Sequence, residues 1–197
     1  IFGSDPALMA EAARMVSAAG ADIVDMNFGC PVRKVTRTGA GCSLLDDPDL
    51  ACRIVAAVAS AVDVPVTVKM RRGVEDGSRT ALAVGPRLVQ AGAAGLTLHP
   101  RSARQMYTGW ADHALTAELV SLVDVPVIAS GDIGSRARAQ AVLATTGCAA
   151  VMVGRAAQGN PWITAPVRLT GNLVNRKTGK SERVELLPMG VNLLRRV

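Results

Sequence analysis

Aromatic side chains are scarce in this chain: Phe, Trp and Tyr together make up 3% of its 197 residues. So thin a supply argues against a surface that binds single strands through a row of stacked rings. No apolar run is long enough to span a bilayer, and no secretory leader pattern opens the sequence. The expectation is a soluble cytoplasmic protein with no membrane partner. The four cysteines, at 30, 42, 52 and 148, form no C-x-x-C pair. Their spacing suits neither a zinc site nor a secreted disulfide framework, so reduced thiols and no metal are expected. No G-x-G-x-x-G follows a strand pattern, which weakens a dinucleotide-binding sheet.

What is present is a large apolar fraction, 49%, against 19% charged residues. That balance supports a sizeable core and excludes wholesale disorder. The length suits one domain with an added element. The net charge of +6 makes a polyanionic partner plausible.

Short β-branched runs alternate with longer alanine-rich helical patterns. The predicted strands are 21–28, 64–70, 95–98, 125–130 and 150–153, read as near-continuous apolar runs buried on both faces of a parallel sheet. N-cap signals precede the helices: Ser4 to Pro6, Asp47 before Pro48, Asp112, and Ser135 before a pattern ending at Gly147. "SAVDVPVTV" (60–68) echoes "SLVDVPVIA" (121–129), as repeated βα units would. The prediction is an α/β fold of the TIM (β/α)8 type, incomplete, since about five strands are legible where closure needs eight. The opening "IFGSD" reads as the tail of a strand, and the chain as an internal piece of a longer protein. Residues 1–168 would form the partial barrel. Residues 169–185 read as a polar, basic linker, and 186–197 as the start of a helical C-terminal region.

In such barrels the site is built at the C-terminal ends of the strands. Here those ends carry Asn27, Gly29 and Cys30; Lys69 and Arg71; His99 and Arg101; Ser130, Gly131 and Asp132; Gly154 and Arg155. The last two ends, "SGDIGS" and "GRAAQGN", have the glycines and the cation that suit an anion at the final turns of a barrel. Lys69 could stabilise negative charge or serve as a Schiff-base nucleophile. Cys30 could act as nucleophile or general acid, with Cys42 as its rival; Cys52 and Cys148 read as packing residues.

The stretch "DMNFGCPVRKVTRTGAGCSLLDDPDL" resembles the signature of tRNA-dihydrouridine synthases. "VTVKMRRG", "LTLHPRSARQMYTGWAD", "VPVIASGDI" and "VMVGRAAQGNPWI" follow in the order of that family's later strands. The resemblance runs from Ile1 to about Trp162 and is strongest to the bacterial branch. It implies an FMN-dependent barrel enzyme that reduces the C5–C6 double bond of uridines in tRNA, with NADPH as reductant. Hydride would go from flavin N5 to C6, and Cys30 would protonate C5. Asn27, Lys69, His99, Ser130, Gly131, Asp132, Gly154 and Arg155 would hold the cofactor, and Arg101 and Arg104 would meet substrate. A monomer is implied. The departures are the family's first strand, missing here; the glutamine expected before Ile1; and Ser130, where the family commonly has Asn.

Three other readings compete: a flavin barrel acting on free pyrimidines, as a dihydroorotate dehydrogenase does; a Schiff-base aldolase using Lys69; and an inactive RNA-binding remnant.

Overall fold

The computed structural model describes residues 1–164, together with the backbone of 169–174, 181–186 and 194–196. Five strands, β1 (Val24–Phe28), β2 (Val66–Arg71), β3 (Gly95–His99), β4 (Val127–Ser130) and β5 (Ala150–Met152), form one parallel sheet in sequential order. A doubly wound sheet reverses its strand order at a switch point. This one never does, so each βα unit lays its strand beside the last, as the arc of a (β/α) barrel requires. Ile1 also sits against β1. Its N–H donates to Asp25 O at 2.7 Å and its carbonyl accepts from Asn27 N at 2.9 Å, the pattern of a parallel neighbour that "IFGSD" predicts.

Strands β1, β2 and β3 are not apolar on both faces, which corrects the sequence reading, whereas β4 and β5 keep apolar residues at successive positions. In β1 Val24, Met26 and Phe28 are buried, while Asp25 and Asn27 alternate with them. The same alternation sets Val66, Val68 and Met70 against Thr67, Lys69 and Arg71, and Leu96 and Leu98 against Thr97 and His99. The apolar set joins the helices in one core. Each such side chain taken out of water contributes roughly 1.5–3 kcal/mol. The register pairs Asp25 with Thr67, Asn27 with Lys69, Lys69 with Thr97 and Arg71 with His99, so the polar set forms layers on the opposite face. Two-residue periodicity separates the two faces.

Helices α1 (Pro6–Ala18), α2 (Arg33–Thr36), α3 (Pro48–Ala61), α4 (Thr80–Gln90), α5 (Ala114–Leu122) and α6 (Arg136–Thr146) fill the connections. The predicted caps close three of them. Asp5 Oδ1 accepts from Ala7 N and Leu8 N, Asp47 Oδ1 from Leu50 N, and Ser135 Oγ from Arg138 N. Gly147, left-handed at φ 68°, ends α6. Asp112 is displaced by one position, because His113 occupies the N-cap of α5. Among the described residues no helix is long and apolar enough to cross a membrane.

The tail departs from its prediction. Strands β6 (Leu169–Val174), β7 (Ser181–Leu186) and β8 (Leu194–Arg196) form an antiparallel sheet, with Leu169 opposite Leu186. "LTGNLV" and "SERVEL" flank a glycine-containing connection, which is a hairpin pattern that the basic composition conceals. The helical start expected at 186–197 is strand where it is described, and its remaining residues lie outside the described ones.

Candidate active site

Cys30 stands at the end of β1 with its backbone held on both sides. Asn27 Oδ1 accepts from Gly29 N at 3.0 Å and from Cys30 N at 2.9 Å. Cys42 N donates to Cys30 O at 3.1 Å. Two glycines make room for this. A Cβ on Gly29 would lie 3.3 Å from the Met70 carbonyl carbon, and one on Gly41 (φ 66°) would lie 2.5 Å from Cys30 O. Cys30 is partly exposed and lines a cavity of about 570 Å³, together with Asp25, Asn27, Lys69, Arg71, His99 and Tyr107. Cys42 is buried, and burial pushes its thiol up. Of the two candidate thiols, only Cys30 faces the cavity.

The cavity floor is the polar layer of the sheet. Thr67 Oγ1 donates to Asp25 Oδ1 at 2.7 Å. Burial pushes the Asp25 carboxyl up, opposed by that hydrogen bond and by the charge of Lys69. Burial likewise pulls the Lys69 ammonium down, while Asp25 holds it up. His99 is lowered to about 3 by burial and by the cations Arg71, Lys69 and Arg101 around it. It is therefore neutral at physiological pH. Arg101 Nη1 lies 3.4 Å from His99 Nε2. A guanidinium can only donate, so Nε2 accepts and the proton sits on Nδ1.

Two buried arginines shape the loop after β3. Arg71 donates to Gly29 O, Ser102 O and Met106 O. Arg101, 2% exposed, donates to Thr108 O, Gly109 O and Asp132 Oδ2. The substrate contact expected of Arg101 is thus corrected: its guanidinium is sealed inside the protein and positions the loop. Arg104 is exposed and paired with Glu75. Asp132, left-handed at φ 53°, also accepts from Ala111 N and lies 3.6 Å from Arg155. Burial alone would raise its carboxyl, but Arg101, the Ala111 N–H and Arg155 together hold it below the usual range. Arg155 stacks over the Tyr107 ring at 4.5 Å, with Arg71 at 5.7 Å from the same ring.

Asn27, Cys30, Lys69 and His99 therefore meet around one cavity. Ser130, Gly131, Asp132, Gly154 and Arg155 do not line it. They reach it through Gly131, whose Cβ would lie 2.7 Å from the His99 ring, and through the Arg155–Tyr107 stack. Sequence reasoning missed Tyr107 and His113. His113 donates from Nε2 to Gly131 O at 2.9 Å and so braces the Ser130–Asp132 turn. Their only signal was position, on the loop and helix start that follow a polar strand end. Among the described residues no cluster of three or more His, Cys, Asp or Glu side chains is placed to hold a metal.

Comparison with known proteins shows which family the chain belongs to. The family model described as Dihydrouridine synthase matches residues 1–189. The chain is similar to a tRNA-dihydrouridine synthase B of Xanthomonas campestris, at 46% identity over 167 residues, covering 85% of this chain and 50% of that one. A protein of the same description from Pseudomonas aeruginosa is 45% identical, covering 83% and 49%. One from Pseudomonas syringae is 42% identical over 190 residues, covering 94% and 56%. The chain spans about half the length of the curated relatives it matches. A solved nitroalkane oxidase from Streptomyces ansochromogenes covers 71% of this chain and 35% of its own at 19% identity, and its TM-score of 0.40 is too low to add weight. The matched span takes in Cys30 and every strand of the sheet, and the chain belongs to the dihydrouridine synthase family.

Proposed function

We propose that this chain forms the catalytic part of a tRNA-dihydrouridine synthase that reduces the C5–C6 double bond of a uridine, with FMN as cofactor and NADPH as reductant. The observation that carries the reading is Cys30, fixed by Asn27 and Cys42 at the mouth of a cavity floored by Lys69 and His99.

The donor set fits FMN. The cavity lies in the size range of cofactor sites. Lys69 and neutral His99 offer a cation and a hydrogen-bonding ring to a heteroaromatic edge. The turns at Ser130–Asp132 and Gly154–Arg155 would hold its phosphate, with Arg155 as the charged contact. Space supports this, since a Cβ on Gly134 or Gly154 would meet nothing within 4 Å. Bound there, FMN would supply a hydride, one proton with two electrons, to uridine C6.

The remaining chemistry belongs to the protein. Cys30 gives its proton to C5, completing the addition of two hydrogens. Asn27 fixes the Cys30 backbone, so the thiol is presented in one place. Lys69 stabilises negative charge that develops on the pyrimidine or the cofactor. The uridine must leave its stack to reach the cavity. The surplus of six positive charges assists by holding tRNA phosphates. A monomer acting in the cytoplasm belongs to the same proposal.

The test uses the full-length protein with unmodified tRNA and NADPH, with Cys30→Ala alongside, and quantifies dihydrouridine by mass spectrometry. Product from the parent and a large loss in the variant support the assignment. Bound FMN without product points to free pyrimidines as substrate. A protein without flavin sinks the oxidoreductase reading.

A further inference from the structure

Four of the five aromatic rings in this chain are exposed; only Phe28 is buried. Trp110 is the most exposed, at 85%. Its backbone is nonetheless firmly held. The carbonyl before it, Gly109 O, accepts from buried Arg101 at 2.6 Å, and the amide after it, Ala111 N, donates to Asp132 at 2.7 Å. One residue further back, Thr108 O accepts from the same guanidinium. A large apolar ring is thus displayed on a loop that buried charges lock in place. The loop also carries Tyr107, which lines the cavity and lies under Arg155.

We propose that Trp110 is a stacking face for a nucleobase of the substrate RNA next to the target uridine. This rests on the function proposed above and adds a contact outside the catalytic cavity. Three observations select a base as the occupant. The ring stands three residues from a side chain of the cavity wall. The exposed guanidiniums of Arg104 and Arg155 flank the same loop, where a phosphodiester would run. Glu75 and Asp132 offset part of that charge, so ion pairing alone holds the strand weakly and a π-face is the complementary element. A single fixed ring suits one unstacked neighbour of an extruded base, not a row of stacked bases.

The test uses FMN-loaded full-length protein and an unmodified tRNA transcript. Trp110→Ala, Trp110→Leu and Trp110→Phe are compared by equilibrium Kd and by KM and kcat for dihydrouridine formation. Flavin content and NADPH oxidation without RNA serve as controls. Trp110→Ala and Trp110→Leu should raise Kd and KM by about 5- to 150-fold, the range of one lost base–aromatic stack, with kcat near the parent. Trp110→Phe should stay within a few-fold of the parent. An unchanged Kd in Trp110→Ala would overturn the inference, as would equal behaviour of the Leu and Phe variants, which would make the contact merely apolar. Should Trp110→Ala lose its flavin, the Leu and Phe pair decides. A parent that binds tRNA but makes no dihydrouridine refutes the proposed reaction, while the Kd series still judges the stack.

Discussion

Gly41 presses directly on the Cys30 loop, which makes Gly41→Ala the sharpest perturbation of the site that leaves its chemistry intact. At φ 66° an alanine is strained by about 1–2 kcal/mol. Its Cβ would also lie 2.5 Å from Cys30 O and 3.0 Å from Val35 Cγ1. Ordinary contact begins near 3.4 Å, so the Cys30 and Gly41 backbones must separate by about 0.9 Å. That movement stretches the Cys42 N to Cys30 O bond, now 3.1 Å, and overpacking of this kind costs about 1–3 kcal/mol. The sum, about 2–5 kcal/mol, is a large share of a typical folding free energy. Displacing a catalytic group by about 1 Å costs on the order of 100-fold in rate. Gly20→Ala supplies the control: φ is 94°, but its Cβ meets nothing within 4 Å, so it carries strain without contact. Stability is read by urea unfolding of the full-length protein. Rate is read as single-turnover dihydrouridine formation per folded, flavin-bearing molecule. Gly41→Ala should lose both, and Gly20→Ala stability alone. A Gly41→Ala enzyme with the parental rate would refute the view that the position of this loop sets the action of Cys30.

Cys42→Ala should keep activity within a few-fold and lose about 1 kcal/mol of stability, because only its backbone N–H holds Cys30; a loss matching Cys30→Ala would reverse the two roles. Arg101→Met should destabilise by about 1–3 kcal/mol in urea unfolding, since it leaves Thr108 O and Gly109 O without their donor and removes one of three partners from Asp132; a neutral result would mean the loop does not depend on that guanidinium. His99, at about 3 when folded against 6.5 when free, takes up its proton only on unfolding. Its contribution is fully present above pH 6.5 and is lost as pH falls from there towards 3, at up to about 1.4 kcal/mol per pH unit. His99→Gln should therefore flatten the fall in stability between pH 6.5 and 5. His113 is also lowered by burial and contributes in the same direction, so an unchanged slope would shift the effect to it.

The five parallel strands and three helix caps were legible because each rests on local chemistry: β-branched runs, an Asp or Ser before a helix, a glycine after one. Helix α4 was harder to read. It contains Gly85 and Pro86, which are breakers by composition. In the fold Gly85 admits Leu119 of α5, with a Cβ there only 2.7 Å from the Leu119 Cδ1. The tail failed for a different reason. The basic residues in 175–183 suggest a solvated linker, yet the hairpin is written in the alternation of the segments that flank them.

The site was visible as a set of residues but not as a set of roles. Polar strand ends identify Cys30, Lys69 and His99, because a polar group at the mouth of a parallel sheet has few structural uses. Arg101 shares that position and that chemistry, yet it is 2% exposed and serves the loop. Nothing in "HPRSARQ" separates it from Arg104, which is exposed. The difference is made by Asp132, 31 residues away, whose carboxylate draws one guanidinium inward. The same long-range pairing explains why the strands were read as apolar throughout. In "VDMNF" Asp25 and Asn27 look like interruptions of a buried run. They are instead the inner face of the arc, matched across the sheet by Thr67 and Lys69. A barrel strand that alternates in this way gives one face to its helices and the other to the barrel interior. A layer of Asp, Asn, Lys and His carries a desolvation cost even where, as here, Thr67 and Lys69 support Asp25 and Asn27 is hydrogen-bonded. Placed around a cavity with a fixed thiol at its mouth, it is the reason to expect chemistry.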